Sequence, residues 1–264
     1  MSGWQSVARK DFNDALRSRR LLTLVVAFVL FVVGTEYLLV EVLGGDVTSA
    51  DALVGSLVGP TVVLVPLIGL VTGYRSIAGE RETGSHKLLL SLPHSRRDVV
   101  LGKLLGRSLV VGVAIVAGFV AGGLLAFGLI GGYEVTPFVL YFLVTLLYAT
   151  AFVALGVGIS AVTGSTSVAV MASFGAFVLF QFLWLFVVGL VRTELFPNAS
   201  AAVFEVTLRL SPLISYGVSL DAFVMGGAGG PEFYQGGWFA LFVLVCWVVV
   251  PPALGYLRFR SVDL

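Results

Sequence analysis

Few side chains in this sequence could do chemistry, and their placement narrows what it could be. The two histidines, His86 and His94, share one hydrophilic stretch and neither lies in an apolar run. That leaves no base for an intramembrane Ser–His relay, and no HExxH pair exists to hold zinc. Gly102-Lys103 is the nearest approach to a phosphate-binding loop, but Leu104 stands where Ser or Thr is required and the preceding glycine is missing. Cys246, the single cysteine, can close neither a disulfide nor a metal cluster. Two polar side chains fall within apolar runs, Glu36 and Gln181. Glu36 either lines a polar external vestibule or is an interfacial carboxylate reached by water, and Gln181 either touches substrate or bonds between helices. They are the candidate pathway residues, and the sequence offers no candidate catalytic, cofactor-binding or metal-binding residue.

The elements that must position these groups are transmembrane helices. Of 264 residues, 58% are apolar and 12% charged, against about 45–50% and about 25% in soluble domains. So few charges cannot coat a globule of this composition, which makes the chain an integral membrane protein. Six stretches reach the roughly 20 apolar residues that a helix needs to cross the hydrocarbon core. They cover residues 21–42, 53–74, 104–130, 138–162, 168–191 and 238–257, with a tight hairpin between the fourth and fifth. The fold class is all-α and polytopic, a single transmembrane domain over 1–264. Acids in the long flank, and no small-residue cleavage site after the first span, argue against a removable signal.

Lys and Arg orient the spans. Five precede the first span, seven lie between Arg75 and Arg107, and Arg258 and Arg260 follow the last. The opposite side has Arg192 and Arg209 and is rich in acids, Asp46, Glu134, Glu205 and Glu232 among them. The positive-inside rule then puts both termini in the cytoplasm, as an even number of crossings requires. A net charge of +1 makes no case for nucleic acid.

Within residues 1–20, Trp4, Val7, Ala8, Phe12, Ala15 and Leu16 recur at helical spacing. This predicts an amphipathic elbow helix with its apolar face in the headgroup boundary. The external segment, 192–237, is too apolar for a free linker and predicts short helices resting on or dipping into the outer leaflet, ended by the glycines at 226–230. Pro60 and Pro66 should kink the second span. The pairs Gly55/Gly59, Gly69/Gly73, Gly102/Gly106 and Gly118/Gly122 allow close helix approach, most simply within the chain.

The cytoplasmic loop, 75–103, is the informative region. It alternates charged patches with an apolar run at 88–92 that Pro93 stops, and Ser95 or Asp98 can cap the helix that follows. A solvated basic loop explains the Arg and Lys but not the leucines. A short element held under the membrane, with charged ends and an apolar knob, is a docking surface.

The order Glu80-Arg81-x-x-Gly84, Leu89-Leu90, Pro93-x-Ser95-Arg96 and Gly102-Lys103 between spans two and three closely resembles the signature of ABC-2 type transporter permeases. The six spans, cytoplasmic termini, elbow helix and external segment fit that family too. The compact permeases serving nitrous-oxide-reductase maturation look nearest. Ser85-His86 departs from the Thr-Leu that often follows the glycine.

The resemblance implies that Glu80, Arg81, Gly84, Leu89, Leu90, Pro93, Ser95 and Arg96 form or support the element that couples the permease to a separate ATP-binding subunit. It implies a complex of two permeases and two ATPases in the plasma membrane, with ATP and Mg on the partner. The chain would then be a non-enzymatic permease subunit, working as an exporter, surrounded by membrane lipid and without nucleic acid. Two other readings remain: a membrane scaffold that only docks a cytoplasmic partner, and an intramembrane enzyme using Ser, Asp or Glu within the spans.

Overall fold

The computed structural model describes residues 3–38, 50–83, 95–130 and 134–260, and every regular element among them is helical. Hydrocarbon offers no partner for backbone N–H and C=O, so each spanning segment satisfies them internally. In chain order the helices are α1 (Gly3–Arg17), α2 (Arg20–Tyr37), α3 (Ala50–Gly73), α4 (Ala78–Glu82), α5 (Arg96–Ile130), α6 (Val135–Val162) and α7 (Thr166–Val178). A π-turn, Leu179–Leu183, continues α7 into α8 (Trp184–Glu194); α9 (Ala201–Arg209), α10 (Pro212–Phe223), a 3-10 turn (Phe233–Gln235) and α11 (Gly237–Arg260) follow. Among the described residues, five helical units are by themselves long and apolar enough to cross a membrane, and α1 with α2, joined at 71°, brings the number to six. Arg19 makes that corner in the left-handed region, at φ 57°. The spans fall where the apolar stretches predicted them, except that α5 begins at Arg96 and that residues 39–42 of the first stretch lie outside the described residues. Its 35 residues extend about 53 Å, so its first turns project beyond a core of about 30 Å.

α6 lies at the centre. It is apolar on every side, and Tyr141, Tyr148, Phe152, Val153 and Val157 are fully buried. α3, α10 and α11 pack on α6, while α1 and α2 pack along α5. Glycine permits the closest of these approaches. A Cβ on Gly73 would stand 2.7 Å from the Val153 oxygen, and one on Gly102 2.5 Å from Val7 Cβ. Three of the four glycine pairs thus serve packing within the chain, whereas Gly55 and Gly59 meet nothing within 4 Å. α3 stays helical through Pro60 and Pro66. A π-turn holding Gln181 interrupts the fifth span.

Two amphipathic elements bury more than their sequences suggested. α1 turns Val7, Ala8, Asp11 and Ala15 onto α5 rather than outward to headgroups, leaving Leu16 exposed. α10 enters the bundle, with Ser215, Tyr216 and Ser219 fully buried between α6 and α11. The reason is polar satisfaction. Ser215 donates to Arg209 O, Ser219 to Ser215 O, and the Tyr216 hydroxyl bonds Thr145. Left-handed Gly226 and Gly229, at φ +73° and +64°, then turn the chain toward α11.

Candidate functional site

Charged groups from three elements converge at the α4 end of the bundle. Lys103, on α5, is only 5% exposed. Its ammonium donates to Asp11 Oδ1 of α1 at 2.8 Å and to Glu80 Oε1 of α4. One turn along, Arg107 grips the same Asp11 carboxylate, Nη2 to Oδ1 at 3.0 Å and Nε to Oδ2 at 2.7 Å. Residues four apart share a helix face, so α5 presents Lys103 and Arg107 together while Gly102 and Gly106 let α1 lie close enough to be reached. Removing one partner from a buried ionic cluster leaves an uncompensated charge, a loss of about 3–5 kcal/mol.

α4 is held on its other sides by hydrogen bonds from elements distant in sequence. Ser160 Oγ, on α6, accepts from the amides of Ile77 and Ala78 at 3.0 and 2.9 Å, satisfying donors that open the helix. Arg81 donates to Thr163 O at 3.0 Å, and its guanidinium lies 4.8 Å from the Phe259 ring. Arg96 approaches the same ring at 5.5 Å and donates to the carbonyls of Phe259 and Arg260, the exposed acceptors in the last turn of α11. Glu82 accepts from the Thr166 amide and hydroxyl, each at 2.6 Å, and so caps α7 from outside. Those bonds, the hydroxyl's first, hold its carboxyl below the ordinary value. Ser95 and Asp98 cap the start of α5 reciprocally, Ser95 donating to Asp98 Oδ2 while its hydroxyl accepts from the Asp98 amide.

Four of the eight candidate coupling residues, Glu80, Arg81, Ser95 and Arg96, therefore stand in or beside this assembly. Gly84, Leu89, Leu90 and Pro93 lie outside the described residues. The sequence reading left Asp11, Glu82, Ser160 and Phe259 unused and gave Lys103 and Arg107 no role in the site. One signal was present: Asp11 is an acid on the very stripe that holds Val7, Ala8 and Ala15, and a charge on a buried face calls for a buried counter-charge.

Toward the other end, hydroxyls form a buried polar seam. Thr61 bonds Tyr141 at 2.9 Å, Thr145 bonds Tyr216 at 2.8 Å, and Gln181 Nε2 donates to Tyr148 at 3.0 Å. The Tyr148 and Tyr216 rings stack with centroids 4.2 Å apart. Gln181 is thus bonded between helices. Glu36 is 2% exposed, so the water-reached interfacial carboxylate expected of it is not what the fold provides. Its carboxylate faces Gly122 and has no hydrogen-bond partner among the described residues.

Comparison with known proteins agrees with this architecture. Residues 5–264 match the family model described as "ABC-2 family transporter protein". Over 233 residues the chain is 31% identical to the "Probable ABC transporter permease protein NosY" of Pseudomonas aeruginosa, covering 85% of this chain and 84% of that one. Its counterpart of the same name in Stutzerimonas stutzeri is 36% identical over 130 residues, 49% of this chain and 47% of the relative, so in that alignment the chain spans about half the relative's length. A match over nearly the whole sequence, to a helical membrane protein of the expected spans, establishes that the chain belongs to the ABC-2 family of transporter proteins.

Proposed function

We propose that this ABC transporter permease is the membrane half of an exporter in the plasma membrane, driven by a separate ATPase that docks where α4 meets α1, α5 and α11. Both termini face the cytoplasm in this reading. Two copies of the permease join two ATPase subunits, and ATP and Mg bind on the partner. The observation that carries the reading is the anchoring of α4. A five-residue helix is no lever alone, but Lys103 ties it to α5 and α1, Ser160 to α6, and Glu82 to α7. A push delivered to α4 reaches four transmembrane or elbow helices at once. The charged and leucine-bearing residues that follow α4 in sequence, including Gly84, Leu89, Leu90 and Pro93, supply the ATPase contact. Glu36 and Gln181 belong to the translocation route, beside the seam that α10 closes from outside.

The test is purification of the tagged chain from its native membrane in mild detergent, with mass spectrometry of what stays bound. Recovery of an ATPase in equal stoichiometry, with coupled hydrolysis lost in Glu80→Ala or Arg81→Ala at unchanged membrane insertion, supports the reading. A folded chain that brings down no ATPase returns the weight to a scaffold.

A further inference from the structure

A pocket of about 530 Å³ opens where α1 turns into α2, bounded beyond by α3, α4 and α5. That is within the range of about 300–1,000 Å³ in which small ligands are held. Its polar wall includes Ser18, Thr23, Arg75, Ser76, Glu80 and Arg107. Leu24 and Val71 make the wall on the span side.

The cations around this space are not all paired among the described residues. Lys103 and Arg107 are matched by Asp11 and Glu80. Arg75 has no salt-bridge partner among the described residues, and its field only weakly reaches Glu82, whose carboxylate is engaged by Thr166. Among the described residues that line the pocket, Arg75 is thus a cation without an ion pair, whereas Arg107 is held by Asp11. Beside Arg75 sits Ser76, 1% exposed, whose hydroxyl has no hydrogen-bond partner among the described residues. A buried donor left unmade is costly and is usually explained by something that completes it.

We propose that the pocket binds the phosphate of an anionic phospholipid from the leaflet in which α1 lies. A phosphodiester has the single negative charge and the acceptor oxygens that Arg75 and Ser76 lack partners for. The apolar surface favours a lipid over free phosphate. Val71, in the pocket's wall, is 56% exposed, so an acyl chain has an apolar face of α3 to follow from the pocket. α2 packs on α5 and α3 on α6, so these two spans flank the site without covering it. With the termini cytoplasmic, as proposed above, the leaflet is the inner one. Lipid binding itself requires neither that orientation nor an ATPase.

The test uses the full chain, delipidated and titrated with phosphatidylglycerol, phosphatidylcholine or inorganic phosphate, and read by native mass spectrometry. One phosphatidylglycerol retained per chain in preference to phosphatidylcholine is expected, weakened about tenfold in Arg75→Gln and partly kept in Arg75→Lys. Arg97→Gln removes the same charge from an exposed site outside the pocket and should change nothing. Ser76→Ala should weaken retention less than Arg75→Gln. Equal losses in Arg75→Gln and Arg97→Gln would reduce the effect to general surface charge and overturn the site. Binding of inorganic phosphate that depends on Arg75, with no lipid retained, would overturn the lipid assignment.

Discussion

Arg96 Nη1, at the first turn of α5, donates to the main-chain oxygen of Phe259 in the last turn of α11, across 163 residues of sequence. Its guanidinium also faces the Phe259 ring, which Arg81 approaches too. The end of the final span is thereby tied to the element that opens the third. A charge-assisted bond of this kind contributes about 1.5–3 kcal/mol. Because Arg96 is half-buried, Arg96→Ala is expected at the lower end of that range. The variant should free the last turn of α11 to limited proteolysis with the rest of the bundle intact. Arg96→Lys should recover only part of the protection, since an ammonium cannot serve two carbonyls and a ring with one planar group.

Lys103→Met should be the most damaging single change at this face. It leaves Asp11 and Glu80 with one fewer cation in a buried site, a loss of about 3–5 kcal/mol, visible as a lower melting temperature in detergent. Lys103→Met combined with Asp11→Asn removes both signs and should regain a substantial part of the loss. A double variant no more stable than the single one would mean that packing, not charge, sets the cost.

The pH response of the α4–α7 contact follows from Glu82. Its carboxyl is held below the ordinary value by the Thr166 hydroxyl and amide, so the contact is fully present above the unfolded value of about 4.3. It is lost as pH falls through the depressed folded value. The protection factor of the Thr166 amide should stay level from neutral pH to about pH 5 and drop in more acid solution. In Glu82→Gln it should be lower at neutral pH and carry no such step.

Gly102→Ala places a Cβ 2.5 Å from Val7 Cβ and 2.8 Å from the Trp4 oxygen. α1 must then lift from α5, loosening Asp11 from Lys103 and freeing the backbone at the already exposed Arg9 and Lys10 for cleavage by trypsin. Gly55→Ala, which meets nothing within 4 Å, is the matched control and should behave as wild type. Full protection of α1 in Gly102→Ala would show that the helix can slide without losing its ion pairs.

The spans were legible because hydrocarbon imposes one requirement on them all, about 20 apolar residues, and α5, α6 and α11 display it without interruption. The helical stripe of α1 was equally plain, but a stripe states that a face is buried and not against what. Here α5 supplied the partner, with glycines spaced to admit it. Glu80 and Arg81 stood out by type, whereas their partners Lys103, Thr163 and Phe259 come from elements that only the finished topology brings together. The π-turn around Gln181 follows no composition signal, since Leu179–Leu183 reads as ordinary apolar helix. The depth of α10 was not legible because Tyr and Ser suit an interface as well as a bundle interior; hydroxyl partners on α6 and upstream in the external segment hold it in the interior.

Phe259 gives the α4 face an order of assembly in time. At about 5–20 residues per second, on the order of ten seconds or more of synthesis separates Arg96 from the ring and carbonyls that receive it. Throughout that interval Arg81 and Arg96 lack the Phe259 ring, while the contact to Asp11 can form early and those to Ser160 once α6 has been made. The α4 face is completed only once α11 has joined the bundle, so a chain stalled before α11 carries that face without its last contacts.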